Sequence, residues 1–132
     1  MYCLDTNIVI DFLTGDLRIK EFIDKIDYDL FEVCLTPITL CELYKGAYLS
    51  NNTEKSLEGI RGFLMTTLAK IIHFNDEACR VFGEEYVNLK KKGRLTNEFD
   101  LLIASIVKAY DLILVTRDKK HFEDLGLKVE VW

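Results

Sequence analysis

Proline and glycine are scarce in this chain, one and seven of its 132 residues. No Gly/Ser linker, low-complexity tract or fixed-period repeat interrupts it, so a single domain over residues 1–132 is expected. No apolar run reaches the roughly 20 residues that span a bilayer. Met1-Tyr2-Cys3-Leu4-Asp5 has no basic stretch and no cleavage pattern, so a secretory leader is not expected. The four cysteines, Cys3, Cys34, Cys41 and Cys79, show no CxxC spacing and lie in apolar segments. Buried, reduced thiols in a cytoplasmic protein are the reading. The two histidines, His73 and His121, stand at no ligand spacing to a cysteine, which argues against zinc. A Ser-His-Asp or Cys-His arrangement is missing, as is a Gly-rich phosphate loop.

An excess of basic residues is also missing. The net charge is −5, which argues against a protein that coats nucleic acid. A nuclease remains open, because carboxylates awaiting a cation count as negative until it arrives. The question is where those carboxylates converge.

What is present is apolar material, 49% of the chain, enough for a substantial core. Tyr2-Cys3-Leu4 is a strand signal ending at Asp5. Thr6 then stands where a cap would open a helix through Ile8, Val9, Phe12 and Leu13, stopped at Gly15. Ile19, Phe22, Ile23 and Ile26 repeat at helical spacing. Phe31 to Leu35 reads as a strand, and Thr36-Pro37 as a cap followed by a first helical residue. Thr53 opens a helix to Leu68, Ile71 to Phe74 reads as a strand, and Asn75 caps a long helix ended by Lys90-Lys91-Lys92-Gly93. Asn97 caps an apolar helix reaching Ala109. Leu112 to Thr116 is the clearest strand, a short helical turn follows near His121-Phe122, and Lys128 to Val131 closes the chain. Strands alternating with helices, and strands that are continuously apolar, imply a parallel sheet with helices on both faces.

In such folds ligands bind beyond the carboxyl ends of the strands. Asp5 ends the first strand, and Asp118 lies two residues past Thr116. Asp100 occupies the first turn of an otherwise apolar helix. Glu42 interrupts an apolar stretch made by Ile38, Cys41 and Leu43, where an unpaired acid is costly. Each acid alone has a structural explanation: a cap, a dipole partner, a turn or a core-edge residue. Four of them near one sheet edge point to a site, and oxygen-only ligands select hard cations such as Mg²⁺ or Mn²⁺.

Leu4-Asp5-Thr6-Asn7, Thr36-Pro37-Ile38-Thr39-Leu40-Cys41-Glu42-Leu43, Asp100-Leu101-Leu102-Ile103-Ala104 and Leu114-Val115-Thr116-Arg117-Asp118 followed by Phe122 resemble the PIN-domain proteins. More narrowly, they resemble the VapC-type toxins of prokaryotic toxin–antitoxin pairs. The resemblance covers nearly the whole chain, in order. It implies a three-layer α/β/α fold, Mg²⁺ or Mn²⁺ dependence and cleavage of RNA. By motif position it implies an acidic site of Asp5, Glu42, Asp100 and Asp118, with secondary roles for Thr6, Glu98 and Thr116. It further implies a VapB-like antitoxin partner and a homodimer, for which the stretch Tyr44 to Tyr48 offers cover. Arg117, Lys119 and Lys120 flank Asp118 and are placed to hold RNA phosphates. Lys90 to Lys92 are better explained by the end of their helix.

Two other classes compete. One is a catalytically silent binding or assembly module in which the acids are structural. The other is a phosphohydrolase with Asp5 as nucleophile, which usually wants a second acid two residues on. Asn7 stands there.

Overall fold

The computed structural model describes all 132 residues, Met1–Trp132. Five strands are β1 (Tyr2–Leu4), β2 (Val33–Leu35), β3 (Lys70–Ile71), β4 (Ile113–Val115) and β5 (Lys128–Glu130). Six α-helices are α1 (Thr6–Thr14), α2 (Leu17–Asp24), α3 (Pro37–Leu49), α4 (Thr53–Thr67), α5 (Asp76–Lys91) and α6 (Glu98–Ala109), and a 3-10 helix covers Lys119–Leu125. The strands pair in the order β3-β2-β1-β4-β5, all parallel. This is the expected α/β/α architecture.

The strand side chains explain the three layers. Leu4, Val33, Leu35 and Val115 enter one core with Ile8, Ile19, Ile23, Leu43, Ile60 and Phe63 from α1, α2, α3 and α4. Cys3, Cys34 and Leu114 point the other way, into a core with Leu89, Leu101, Ile103, Val107 and Phe122 from α5, α6 and the 3-10 helix. With both faces covered, alternation with polar residues is lost, which is why these strands read as apolar runs.

The elements end close to where their sequences place them. Thr36 accepts from Thr39 N, Asn75 from Ala78 N and Asn97 from Phe99 N as N-caps. Gly15 takes φ 92° at the end of α1, a conformation costly to a residue with a Cβ. The cap of α1 corrects the expectation. It is Asp5, not Thr6, whose carboxylate accepts from the Thr6 amide. The strands are shorter than expected; β3 stops at Ile71 because the chain leaves the sheet to reach the cap at Asn75.

The cysteines divide. Cys3 and Cys34 are buried, whereas Cys41 and Cys79 are exposed. Cys41 and Cys79 lie on helices whose inward positions are taken by Leu43 and Ala47, and by Ala78 and Val81. No helix is long and apolar enough to cross a membrane.

The topology fixes where a site forms. From β1 the chain moves outward to β2 and β3, then returns to place β4 on the other side of β1. The crevice of a parallel sheet lies at such a switch point, beyond the carboxyl ends of the diverging strands. Leu4 and Val115 are partners in register, so Asp5 and Thr116 leave the sheet side by side.

Candidate active site

Asp5 is the centre of the crevice. It is buried, 7% exposed, and its amide extends the sheet by donating to Val115 O at 2.9 Å. Its Oδ1 accepts from the Thr6 amide at 2.8 Å. Its Oδ2 accepts from the Thr116 hydroxyl at 2.7 Å and from Asn7 Nδ2 at 3.1 Å. Thr116 is fully buried. Its oxygen also accepts from Asn7 Nδ2 and from the Asp118 amide, each at 3.1 Å.

The other acids arrive from different layers. Glu42, on the second turn of α3, accepts from the Thr6 hydroxyl. Asp100 lies in the first turn of α6, where a negative charge is favoured by the helix dipole. His121 Nδ1 stands 3.5 Å from Asp100 Oδ2. Asp118, the residue before the 3-10 helix, is exposed. Glu98 starts α6 and is exposed, with no hydrogen-bond or ion-pair partner for its carboxylate.

Asp5 and Asp100 feel the charges of the neighbouring acids. Burial raises Asp5 above the ordinary aspartate range; hydrogen bonds from Thr116 and Thr6 N pull it back, and the charges of Glu42 and Asp118 push it up. Burial also raises Asp100. His121 opposes that shift, while Asp5, Glu42 and Asp118 reinforce it. Asp5, Glu42, Asp100 and Asp118, some 113 residues apart at the extremes in sequence, thus share one electrostatic neighbourhood.

The donor set fits a hard cation in its chemistry, since all donors are oxygens and the like charges lack a buried counter-ion. No three His, Cys, Asp or Glu side chains close into a ready cage.

The basic residues are not equivalent. Lys119 and Lys120 are exposed and free of ion pairs. Lys120 lines a cleft of about 270 Å³ together with Arg94 and His121. Arg117 is tethered instead, its Nη1 lying 3.0 Å from Asp11 Oδ2. Sequence reasoning missed Asn7, Asp11 and His121 as neighbours of the site. The spacing of Asn7 and Asp11, one helical turn apart on α1, was the available signal.

Fold and site together define an α/β protein with an acidic crevice at the switch point of a parallel sheet. The PIN domain model matches residues 2–127. The chain is 33% identical to the ribonuclease VapC2 of Haemophilus influenzae, covering 99% of this chain and 97% of that protein. It is 30% identical to the tRNA(fMet)-specific endonuclease VapC of Shigella flexneri, with the same coverage. Among solved structures, VapBC2 from Rickettsia felis bound to a promoter DNA fragment superposes with a TM-score of 0.90 at 26% identity, covering 99% and 98% of the two chains. VapBC-1 from nontypeable Haemophilus influenzae gives 0.87 at 29% identity, covering 99% and 97%. The chain belongs to the PIN-domain family and, within it, to the VapC proteins.

Proposed function

We propose that the chain, acting as one domain over residues 1–132, is a metal-dependent endoribonuclease and the toxin of a toxin–antitoxin pair. The observation that carries this is the buried Asp5, held by three donors, raised first by its burial and further by the charges of Glu42 and Asp118. The ribonuclease names of the full-length relatives support it.

In this reading Asp5, Glu42 and Asp100 hold Mg²⁺ or Mn²⁺, with Asp118 reaching it directly or through water. The bound cation would lower the pKa of a water molecule and offset charge on the scissile phosphate. The residues supply the rest. Thr116 fixes the plane of the Asp5 carboxylate by donating to Oδ2. Thr6 does the same for Glu42. Outer partners of this kind orient ligands and tune their basicity. Glu98, exposed at the start of α6, would serve as a secondary acid.

Lys119 and Lys120 would receive RNA phosphates beside Asp118, a contact that sets position and affinity rather than sequence choice. Arg117 contributes less to this while Asp11 holds it. A surface on this chain would receive the antitoxin partner. An apolar groove of about 480 Å³ between α1, α3 and α4 is lined by Ile10, Leu13, Leu43 and Ile60 and reaches Glu42. Tyr44 and Tyr48 are exposed on the same helix, α3. A homodimer acting in the cytoplasm, where RNA is met, completes the reading.

The test is cleavage of a structured RNA panel with Mn²⁺ or Mg²⁺, with EDTA and Asp100→Asn as controls. Cleavage abolished by both supports the assignment. RNA left intact by a folded wild-type protein that binds no Mn²⁺ favours the silent binding module.

A further inference from the structure

Two residues of α1 hold the segment that follows β4. Asn7 uses its whole amide: Nδ2 donates to Asp5 Oδ2 and to Thr116 Oγ1, each at 3.1 Å, and Oδ1 accepts from the Arg117 amide at 3.2 Å. One turn further on, Asp11 Oδ2 takes the Arg117 guanidinium at 3.0 Å, with the Asp11 side chain only 13% exposed. Arg117 is therefore gripped at its backbone and at its tip by the same helix face.

The polarity of this grip is determined. The Arg117 amide is a donor, so the acceptor end of Asn7 faces it and the NH₂ end faces Asp5 and Thr116. The Thr116 oxygen accepts from Asn7 and from the Asp118 amide. Its two acceptor positions are then filled, and its one proton is directed at Asp5 Oδ2. Asn7 thereby sets which way the Thr116 hydroxyl points and where the Asp118 backbone begins.

We propose that Asn7 and Asp11 are positioning residues that clamp Thr116-Arg117-Asp118 against Asp5, so that two acids 113 positions apart in sequence meet one cation in fixed register. The proposal rests on the ribonuclease reading for its activity arm only. Arg117 then acts as the strut of the clamp, and the RNA-facing positive charge belongs to Lys119 and Lys120.

The experiment compares Asn7→Ala, Asn7→Ser, Asp11→Ala and Asp11→Asn with wild type, folding being checked by circular dichroism. In EDTA, amide hydrogen exchange is read at Arg117 and Asp118. Mn²⁺ affinity is read by calorimetry, and kcat and KM on RNA with Mn²⁺ present. Asn7→Ala should speed exchange at Arg117 at least tenfold. It should weaken Mn²⁺ binding and lower kcat by about 10–100-fold, the usual cost of losing an outer-shell partner, with KM within about twofold. Asp11→Ala should give a smaller loss, and Asp11→Asn, which keeps an oxygen for Arg117, should recover most of it. Unchanged exchange and Mn²⁺ affinity in both Asn7 variants overturn the proposal. Faster exchange with unchanged kcat and Mn²⁺ affinity overturns it too, since the bonds would then be structural only. A wild-type protein that never cleaves RNA refutes the ribonuclease reading instead, and exchange and Mn²⁺ affinity still decide the clamp.

Discussion

Replacing Asp100 by Asn separates charge from structure at this site. Its carboxylate accepts no hydrogen bond, and its one charge partner, His121, lies 3.5 Å away. Its side chain is 25% exposed, and the negative charges of Asp5, Glu42 and Asp118 bear on it. At an effective dielectric of about 20, two like charges several ångströms apart repel by roughly 2 kcal/mol. Solvent screening of a partly exposed group and uptake of a proton reduce that, leaving about 1 kcal/mol to be recovered when the charge is removed. In EDTA, Asp100→Asn should therefore raise the melting temperature by about 4 °C for a domain of this size. Mn²⁺ at about 100 times its dissociation constant should stabilise the wild type by about 2.7 kcal/mol. It should stabilise Asp100→Asn far less. Asp24→Asn on the exposed end of α2, and Asp27→Asn in the loop after it, should change neither quantity. Thermal unfolding by circular dichroism, with and without Mn²⁺, measures all of this. The reasoning fails if Asp100→Asn lowers stability in EDTA by the 2 kcal/mol or more typical of a core truncation.

Asp5→Ala should behave differently from Asp100→Asn: it removes the cap of α1 and the acceptor for Thr116, and should cost about 1–2 kcal/mol in urea unfolding even without metal. Asp5 and Asp100 are both raised in the folded state, so that state binds more protons than the unfolded chain. Metal-free stability should accordingly fall as pH rises above about 4 through their folded values and then level. Denaturant midpoints from pH 4 to 8 in EDTA check this, and a midpoint that climbs across the window contradicts the shifts. Lys119→Gln with Lys120→Gln should raise KM for RNA and flatten its salt dependence by about one to two units of slope, with kcat little changed.

Much of the site was legible because the strand ends were. In an all-parallel sheet every strand delivers its next residues to one edge, so Asp5 followed from locating β1 and Asp118 from locating β4; Thr116, expected as the last residue of β4, stands just beyond its end. Glu42 announced itself as an acid in an apolar stretch of α3, and Asp100 by opening α6. The clamp was not legible, because Asn7 and Arg117 are joined by a hydrogen bond across 110 residues and neither sits at a strand end. Arg117 read as an RNA contact because it adjoins Asp118; only the fold brings Asp11 to it. Cys41 and Cys79 were misplaced for a related reason. Apolar neighbours in sequence say little about a helix, where the facing direction turns about 100° per residue.

The cap of α1 shows why fold and chemistry are hard to separate here. A helix start needs a side-chain acceptor, and Thr6 or Asp5 could supply one. With Thr6 as cap, its hydroxyl would be turned to the α1 amides and the Glu42 carboxylate would lack its donor. With Asp5 as cap, Oδ1 serves the helix and Oδ2 serves Thr116 and Asn7, while the Thr6 hydroxyl is released to Glu42. One residue's shift in the helix start thus connects three of the segments that carry acids. The same shift explains the tolerance for a buried, raised carboxylate at Asp5. Three donors hold it in the metal-free protein, and each is anchored in secondary structure or immediately beyond it. Asp100 has no such support, so the cost of repulsion falls on α6. A cation entering this crevice should therefore order the first turn of α6 more than the start of α1. Amide exchange at Leu101 and Leu102 compared with Ile8 and Val9, with and without Mn²⁺, would show that difference, and equal protection of both helices would refute it.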